Sequence, residues 1–220
     1  MSDYQDRREE ILVSSAELFA RKGVSATTIR EIAVAVGVTS GTLYHYFTSK
    51  DAILSELITA YLDDLLSQYR EFMTEELDSR SRLHGLVIVS LRTAEKNPYA
   101  TQIYQRDLVY LRELSRHKEC DYPQVKAAVA EIQRTWLKVI QDGREHGVFR
   151  NDIPSWVFYR LMRDAVWLST KWHRQRGDYG VEQLAQDCTS IFLDGFAVER
   201  EQPRPHRPSP DTKLTETLIE

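Results

Sequence analysis

The sequence predicts an all-α chain of about nine helices, and three observations carry that prediction. Apolar residues recur every three or four positions through most of the chain, and nowhere alternate with the period of two that a half-buried strand requires. Gly23, Gly37 and several prolines stand where those periodic stretches stop or start. Cap-forming residues precede two of the stretches: Thr28, with Glu31 three positions on, and Thr39. A chain of 220 residues with 42% hydrophobic content is also long and apolar enough to bury a full core.

The first helix is expected over Arg7 to Lys22, with Ile11, Leu12, Ser15, Leu18 and Phe19 on its inner side and Gly23 ending it. The second starts at Thr28, whose hydroxyl can cap an amide while Glu31 reaches back, and Ile29, Ile32, Ala33 and Val36 supply its buried face. Gly37 ends it where a left-handed backbone is needed. Thr39 then caps a short third helix, Ser40 to about Tyr46, with Leu43 and Phe47 turned inward. Two short helices around a glycine turn form a helix-turn-helix, which points to duplex DNA. Ser40, Gly41, Thr42, Tyr44 and His45 give that third helix a small N-terminus able to approach base edges, plus hydroxyl, phenol and imidazole donors. Lys50 opens the next helix, where its ammonium and the unpaired amides suit a phosphate.

From Ser49 a helix of about 25 residues carries Ala52, Ile53, Leu57, Tyr61, Leu65, Leu66, Tyr69 and Phe72. Further periodic stretches run from about Arg82 to Lys96, Pro98 to about His117, Pro123 to His146, Pro154 to Arg176 and Val181 to Ala197. From Glu199 onward Pro203, Pro205, Pro208 and Pro210 stand among charged residues, the composition of a solvated tail. The expected organisation is a DNA-binding domain over 1–50, a ligand-binding and dimerisation domain over 51–198, and a flexible tail over 199–220.

Several function classes are excluded. No apolar run reaches the roughly 18 residues of a membrane helix, and Met1 to Glu10 is too charged for a secretory signal, so a cytoplasmic protein is expected. Cys120 and Cys188 form no C-x-x-C pair, so neither a metal site nor a disulfide framework is signalled. With no G-x-S-x-G, P-loop, H-E-x-x-H or dinucleotide fingerprint, no catalytic residue and no cofactor is expected. The segment from Met1 to Lys50 holds six basic and six acidic residues. A formally neutral reading head binds DNA weakly by charge alone, and pairing two copies doubles the phosphate contacts.

Phe19, Gly23, Thr28, Ile32, Ala33, Gly37, Val38, Gly41, Leu43, Tyr44, Tyr46, Phe47 and Lys50, in that order, resemble the TetR family of bacterial transcriptional regulators. The resemblance covers about the first quarter of the chain. It implies an all-helical homodimer that binds operator DNA as a repressor and releases it when a small effector enters the C-terminal domain. It also implies DNA contacts at Thr28, Thr42, Tyr44, His45 and Lys50, next to the cap residue Thr39. Farther along, IYQRD at Ile103 to Asp107 and YRLMRDAVWLSTKWHR at Tyr159 to Arg174 resemble the actinobacterial repressors of late, ring-opening cholesterol catabolism; beyond Arg174 the chain departs from that pattern. This second resemblance implies a coenzyme A thioester of a degraded steroid as effector, with Arg163 and Trp167 as ligand contacts; another acyl-CoA is the alternative.

The residues themselves are compatible with that reading. Tyr159, Arg163, Trp167 and Thr170 fall on one helix face, offering a guanidinium fork beside a flat apolar surface. They equally suit a dimer core in which Trp167 packs and Arg163 pairs with a nearby acid, and Asp164 equally suits an ion pair across the interface. Tyr104 joins Tyr99, Tyr110, Trp136, Phe158 and Trp172 as aromatics that could line a pocket, although each alone is more often core. The last two long helices carry Trp156, Met162, Leu184, Cys188, Ile191, Phe192 and Gly195 in stripes too apolar for solvent; part of them covers the chain's own core, and pairing the rest across a two-fold axis makes a four-helix dimer interface. A helical ligand-sequestering protein would leave Tyr44, His45 and Lys50 without a purpose.

Overall fold

Nine α-helices and no β-strand are found among the residues that the computed structural model describes, 2–106, 123–173 and 179–195. They are α1 (Ser2–Lys22), α2 (Ile29–Val36), α3 (Ser40–Tyr44), α4 (Lys50–Phe72), α5 (Ser79–Lys96), α6 (Pro98–Arg106), α7 (Pro123–Glu145), α8 (Ser155–Trp172) and α9 (Val181–Asp194). The all-α expectation therefore holds. His117, Cys120, Tyr110, the end of the stretch at Arg174 and the tail from Glu199 lie outside the described residues.

Local chemistry places the early helix ends. Thr28 and Glu31 close a full capping box at the start of α2. Gly37 ends it in the left-handed region, φ 72°, ψ 32°. There the Val38 amide donates to the Ala33 carbonyl at 2.9 Å and the Gly37 amide to Val34 at 3.1 Å, the paired bonds of a Schellman stop. Thr39 Oγ1 accepts from the Thr42 amide at 3.1 Å to start α3, and Ser49 Oγ accepts from the Ala52 amide at 3.0 Å to start α4. Several expected boundaries moved: α1 begins at Ser2, five residues before Arg7, α5 begins at Ser79, three before Arg82, and α8 ends at Trp172, four before Arg176.

The chain packs as two units, Met1–Arg70 with Arg92–Ile132, and Glu71–Leu91 with Gln133–Glu220. In the first, α1 packs on α2 and α6, and α2 on α3. Its core includes Ile11, Phe19, Ile32, Leu43, Ile53, Leu54, Ile58 and Leu62, all fully buried. The C-terminal carbonyls of α1 are met from α6: Gln102 Nε2 donates to Ala20 O at 3.1 Å, Arg106 Nη1 donates to it at 2.6 Å, and Arg106 Nη2 donates to Phe19 O, which also accepts from the Gly23 amide at 2.9 Å. In the second unit, Leu83, Leu86, Trp136, Val139, Met162, Val166 and Ala185 form the buried centre. α8 and α9 pack on one another there.

Candidate nucleic-acid interface

All eight residues assigned to DNA lie between Thr28 and Lys50 in the first unit. Leu43 is fully buried and Phe47 is 3% exposed, so they anchor α3 and turn its other side outward. Gly41, Tyr44 and His45 are exposed on that outer side, and Ser40 and Thr42 are half-exposed. Tyr44 keeps 53% of its surface open. The small, polar start of α3 therefore presents donors and little bulk, as entry into a major groove requires.

Three hydroxyls have work inside the chain. Thr28 Oγ1 accepts from the Glu31 amide at 3.2 Å, and Thr39 Oγ1 lies 2.9 Å from Thr42 Oγ1. Glu31 also takes the Lys22 ammonium, and that bond together with those from Thr28 holds its carboxyl down at about 2. The Lys50 ammonium donates to Val24 O at 2.7 Å and Thr27 O at 2.9 Å. Two of its three N–H groups thus brace the α1–α2 turn, and a phosphate could take the third.

Three further side chains belong to this region that the sequence pattern did not single out. The Tyr4 ring stacks on Tyr46, centroids 4.7 Å apart with planes 23° from parallel. Arg8 sets its guanidinium over the Phe47 ring, 4.6 Å from the centroid, and forks onto both carboxylate oxygens of Glu56 on α4. The only available signal was that Tyr4 and Arg8 stand one helical turn apart in a stretch too polar to show a period.

The residues assigned to a ligand divide between the two units. Tyr104 belongs to the first, is 5% exposed and packs at a tilt on Tyr61, 6.3 Å between centroids. Tyr159, Arg163, Trp167 and Thr170 belong to the second, on α8. Arg163 lies over the Tyr159 ring, 5.5 Å from the centroid, and donates from Nε and Nη2 to Asp164 Oδ1 at 2.9 and 2.7 Å. Burial pushes the Tyr159 phenol up while the guanidinium pulls it down. The Thr170 hydroxyl donates to the Trp167 carbonyl at 2.8 Å. Arg163 and Tyr159 are therefore brought together, with the acid anticipated for the arginine being its own neighbour.

The apolar stripes of α8 and α9 divide between the core and the surface. Met162 is fully buried and Leu184 is 2% exposed, so both belong to the chain's own core. The apolar surface that stays open consists of Trp156, Leu161, Leu168, Trp172 and Ile191, exposed by 47, 60, 50, 66 and 49%. Among the described residues no group of three or more His, Cys, Asp or Glu could hold a metal, and no helix is long and apolar enough to cross a membrane.

Comparison with known proteins converges on one family. A family model described as bacterial regulatory proteins, tetR family, matches residues 11–57, and a tetracyclin repressor-like C-terminal domain model matches residues 76–196. The chain is 37% identical over 191 residues to the HTH-type transcriptional repressor KstR2 of Rhodococcus jostii, covering 87% of this chain and 91% of that protein. It is 33% identical over 193 residues to KstR2 of Mycobacterium tuberculosis, covering 88% and 94%. A solved structure of the latter, described as a ketosteroid transcriptional regulator, superposes with a TM-score of 0.76 over 88% of this chain and 96% of that one. These relatives are repressors and not enzymes. An outward-facing α3 with a small N-terminus, inside a chain that two successive family models cover, makes this protein a member of the TetR family of transcriptional repressors.

Proposed function

We propose that the protein works in the cytoplasm as a homodimeric repressor that grips operator DNA through two copies of α3 and lets go when a coenzyme A thioester of a steroid-degradation intermediate binds. In this reading residues 1–50 read DNA, residues 51–198 bind the effector and pair the subunits, and residues 199–220 form a tail. The observation that carries it is identity of 33–37% to KstR2 repressors along nearly nine-tenths of the chain, one of them described as a ketosteroid regulator. Physical support comes from α8. Arg163, a third exposed, sits beside the Tyr159 ring, and its acid partner Asp164 is itself exposed, so a phosphate can replace that partner at little desolvation cost. The open apolar surface of α8 and α9 supports subunit pairing.

Release follows from linkage. An effector that favours an arrangement in which the two α3 helices no longer match successive major grooves, about 34 Å apart, weakens operator binding by the same factor by which operator weakens the effector. Calorimetric titration with steroid-derived and fatty acyl-CoA thioesters, free coenzyme A and the free acids tests the effector class. Binding of a steroid-derived thioester alone, with release of operator at the same concentrations, is the expected result. Binding by fatty acyl thioesters instead would move the assignment to another acyl-CoA, and binding by none would remove the class.

A further inference from the structure

We propose that Arg8, with Tyr4 one turn before it, is a positioning residue for DNA reading: it fixes the orientation of α3 by tying the segment that follows α3 to α4, without itself touching DNA. α3 has five residues, too few to hold a direction by its own hydrogen bonds, so its tilt is set by what clamps its ends. The entry is held by the Thr39 cap. The exit, Tyr46 and Phe47, is held from α1, since Tyr4 stacks on the first ring and the Arg8 guanidinium covers the second. The same guanidinium forks onto Glu56, so one planar group joins α1, the exit of α3 and the second turn of α4. A guanidinium can stack on a ring and form two parallel bonds to a carboxylate in its plane at once, which an ammonium cannot. An arginine kept for a phosphate would present that fork to the solvent; here both carboxylate oxygens of Glu56 take it, and the two side chains retain only 29% and 33% of their surface.

The inference rests on α3 being the reading element, and the experiment separates the two. A duplex is first selected from a random library with the full-length wild-type chain, and failure to enrich any sequence would overturn the DNA-reading role itself. Anisotropy titrations of the selected duplex and a scrambled one, at several salt concentrations, then compare Arg8→Ala, Arg8→Lys, Tyr4→Ala, Glu56→Gln and the Arg8→Ala/Glu56→Gln double variant, with circular dichroism melts confirming folding. Loss of the bridge is expected to weaken the selected duplex about five- to tenfold for Arg8→Ala and Glu56→Gln, while the scrambled duplex changes less than about twofold. Lysine at position 8 is expected to fail as alanine does, and the double variant to be no worse than the worse single one. The sign at Glu56 is decisive, because removing an acid tightens binding to any DNA if charge alone matters. Tighter binding by Glu56→Gln, rescue by Arg8→Lys, additive losses, or equal loss on both duplexes with a salt slope reduced by about 0.9 per contact would each overturn the proposal. If Arg8→Ala does not fold, Glu56→Gln and Tyr4→Ala decide the matter by the same criteria.

Discussion

Gly41→Ala separates what α3 needs in order to fold from what it needs in order to read DNA. Gly41 is the second residue of α3, exposed, and outside the left-handed region. A Cβ built there meets only Thr39 Oγ1, at 3.7 Å, an ordinary van der Waals contact. The folded chain therefore loses nothing, while the unfolded chain loses backbone freedom, and the variant is expected to gain about 0.4–1 kcal/mol of stability. In the proposed reading the same methyl stands at the end of α3 turned to base edges. Displacing even one good base contact costs about 1–3 kcal/mol, so operator affinity is expected to fall about tenfold or more. Gly37→Ala is the control of opposite sign. Nothing lies within 4 Å of its Cβ either, but the backbone there is left-handed, so the variant should lose about 1 kcal/mol with operator affinity retained below its melting range. Urea melts and anisotropy titrations on the pair give four numbers. Unchanged operator affinity in a stabilised Gly41→Ala protein would refute the placement of the α3 N-terminus against DNA.

Other perturbations follow from single contacts. Glu31 has its carboxyl lowered from 4.5 to about 2, so the folded state binds its proton less well than the unfolded one and gains stability above the unfolded value. The destabilisation by Glu31→Gln should be complete at pH 7, shrink as pH falls below 4.5 and vanish towards 2; a difference independent of pH in denaturant titrations would contradict the Lys22 and Thr28 contacts. At Gly143 a Cβ would lie 2.2 Å from Phe149 Cδ2, and the Phe149 amide is tied to the Gly143 carbonyl at 2.9 Å, so the ring cannot retreat. Gly143→Ala should cost about 1–3 kcal/mol, and an unchanged melting temperature would refute that packing. Leu168→Glu with Trp172→Glu should raise the dimer dissociation constant by about two orders of magnitude in sedimentation equilibrium, and a dimer that persists would place the interface elsewhere.

What could be read from the chain was what neighbours in sequence decide. The Thr28–Glu31 box, the left-handed Gly37 and the Thr39 cap each involve residues within five positions, and all three stand as expected. The start of α1 was missed because residues 2–6 carry no apolar period; what holds them is the Tyr4 stack on Tyr46, distant in sequence. Along α8, Leu161 and Met162 are adjacent apolar residues about 100° apart around the helix axis. Composition cannot say which one the core takes, and packing took Met162. Arg163 was expected to face either a ligand or an acid, and the bond to Asp164 is a one-residue contact that helical spacing rules do not consider. The use of the Lys50 ammonium depended on carbonyls 23 and 26 residues away.

That last pair of bonds gives the reading head a cooperative character. By joining Lys50 back to Val24 and Thr27, they close the stretch containing α2 and α3 into a loop whose two ends cannot separate without breaking both bonds at once. A short helix in an open chain frays by itself, whereas tying the ends of the loop together is expected to couple the opening of its two helices. Amides of α2 and α3 should accordingly exchange with deuterium as one unit. Trimming Lys50 to methionine should split that unit into two independently opening pieces before it alters any contact with a base.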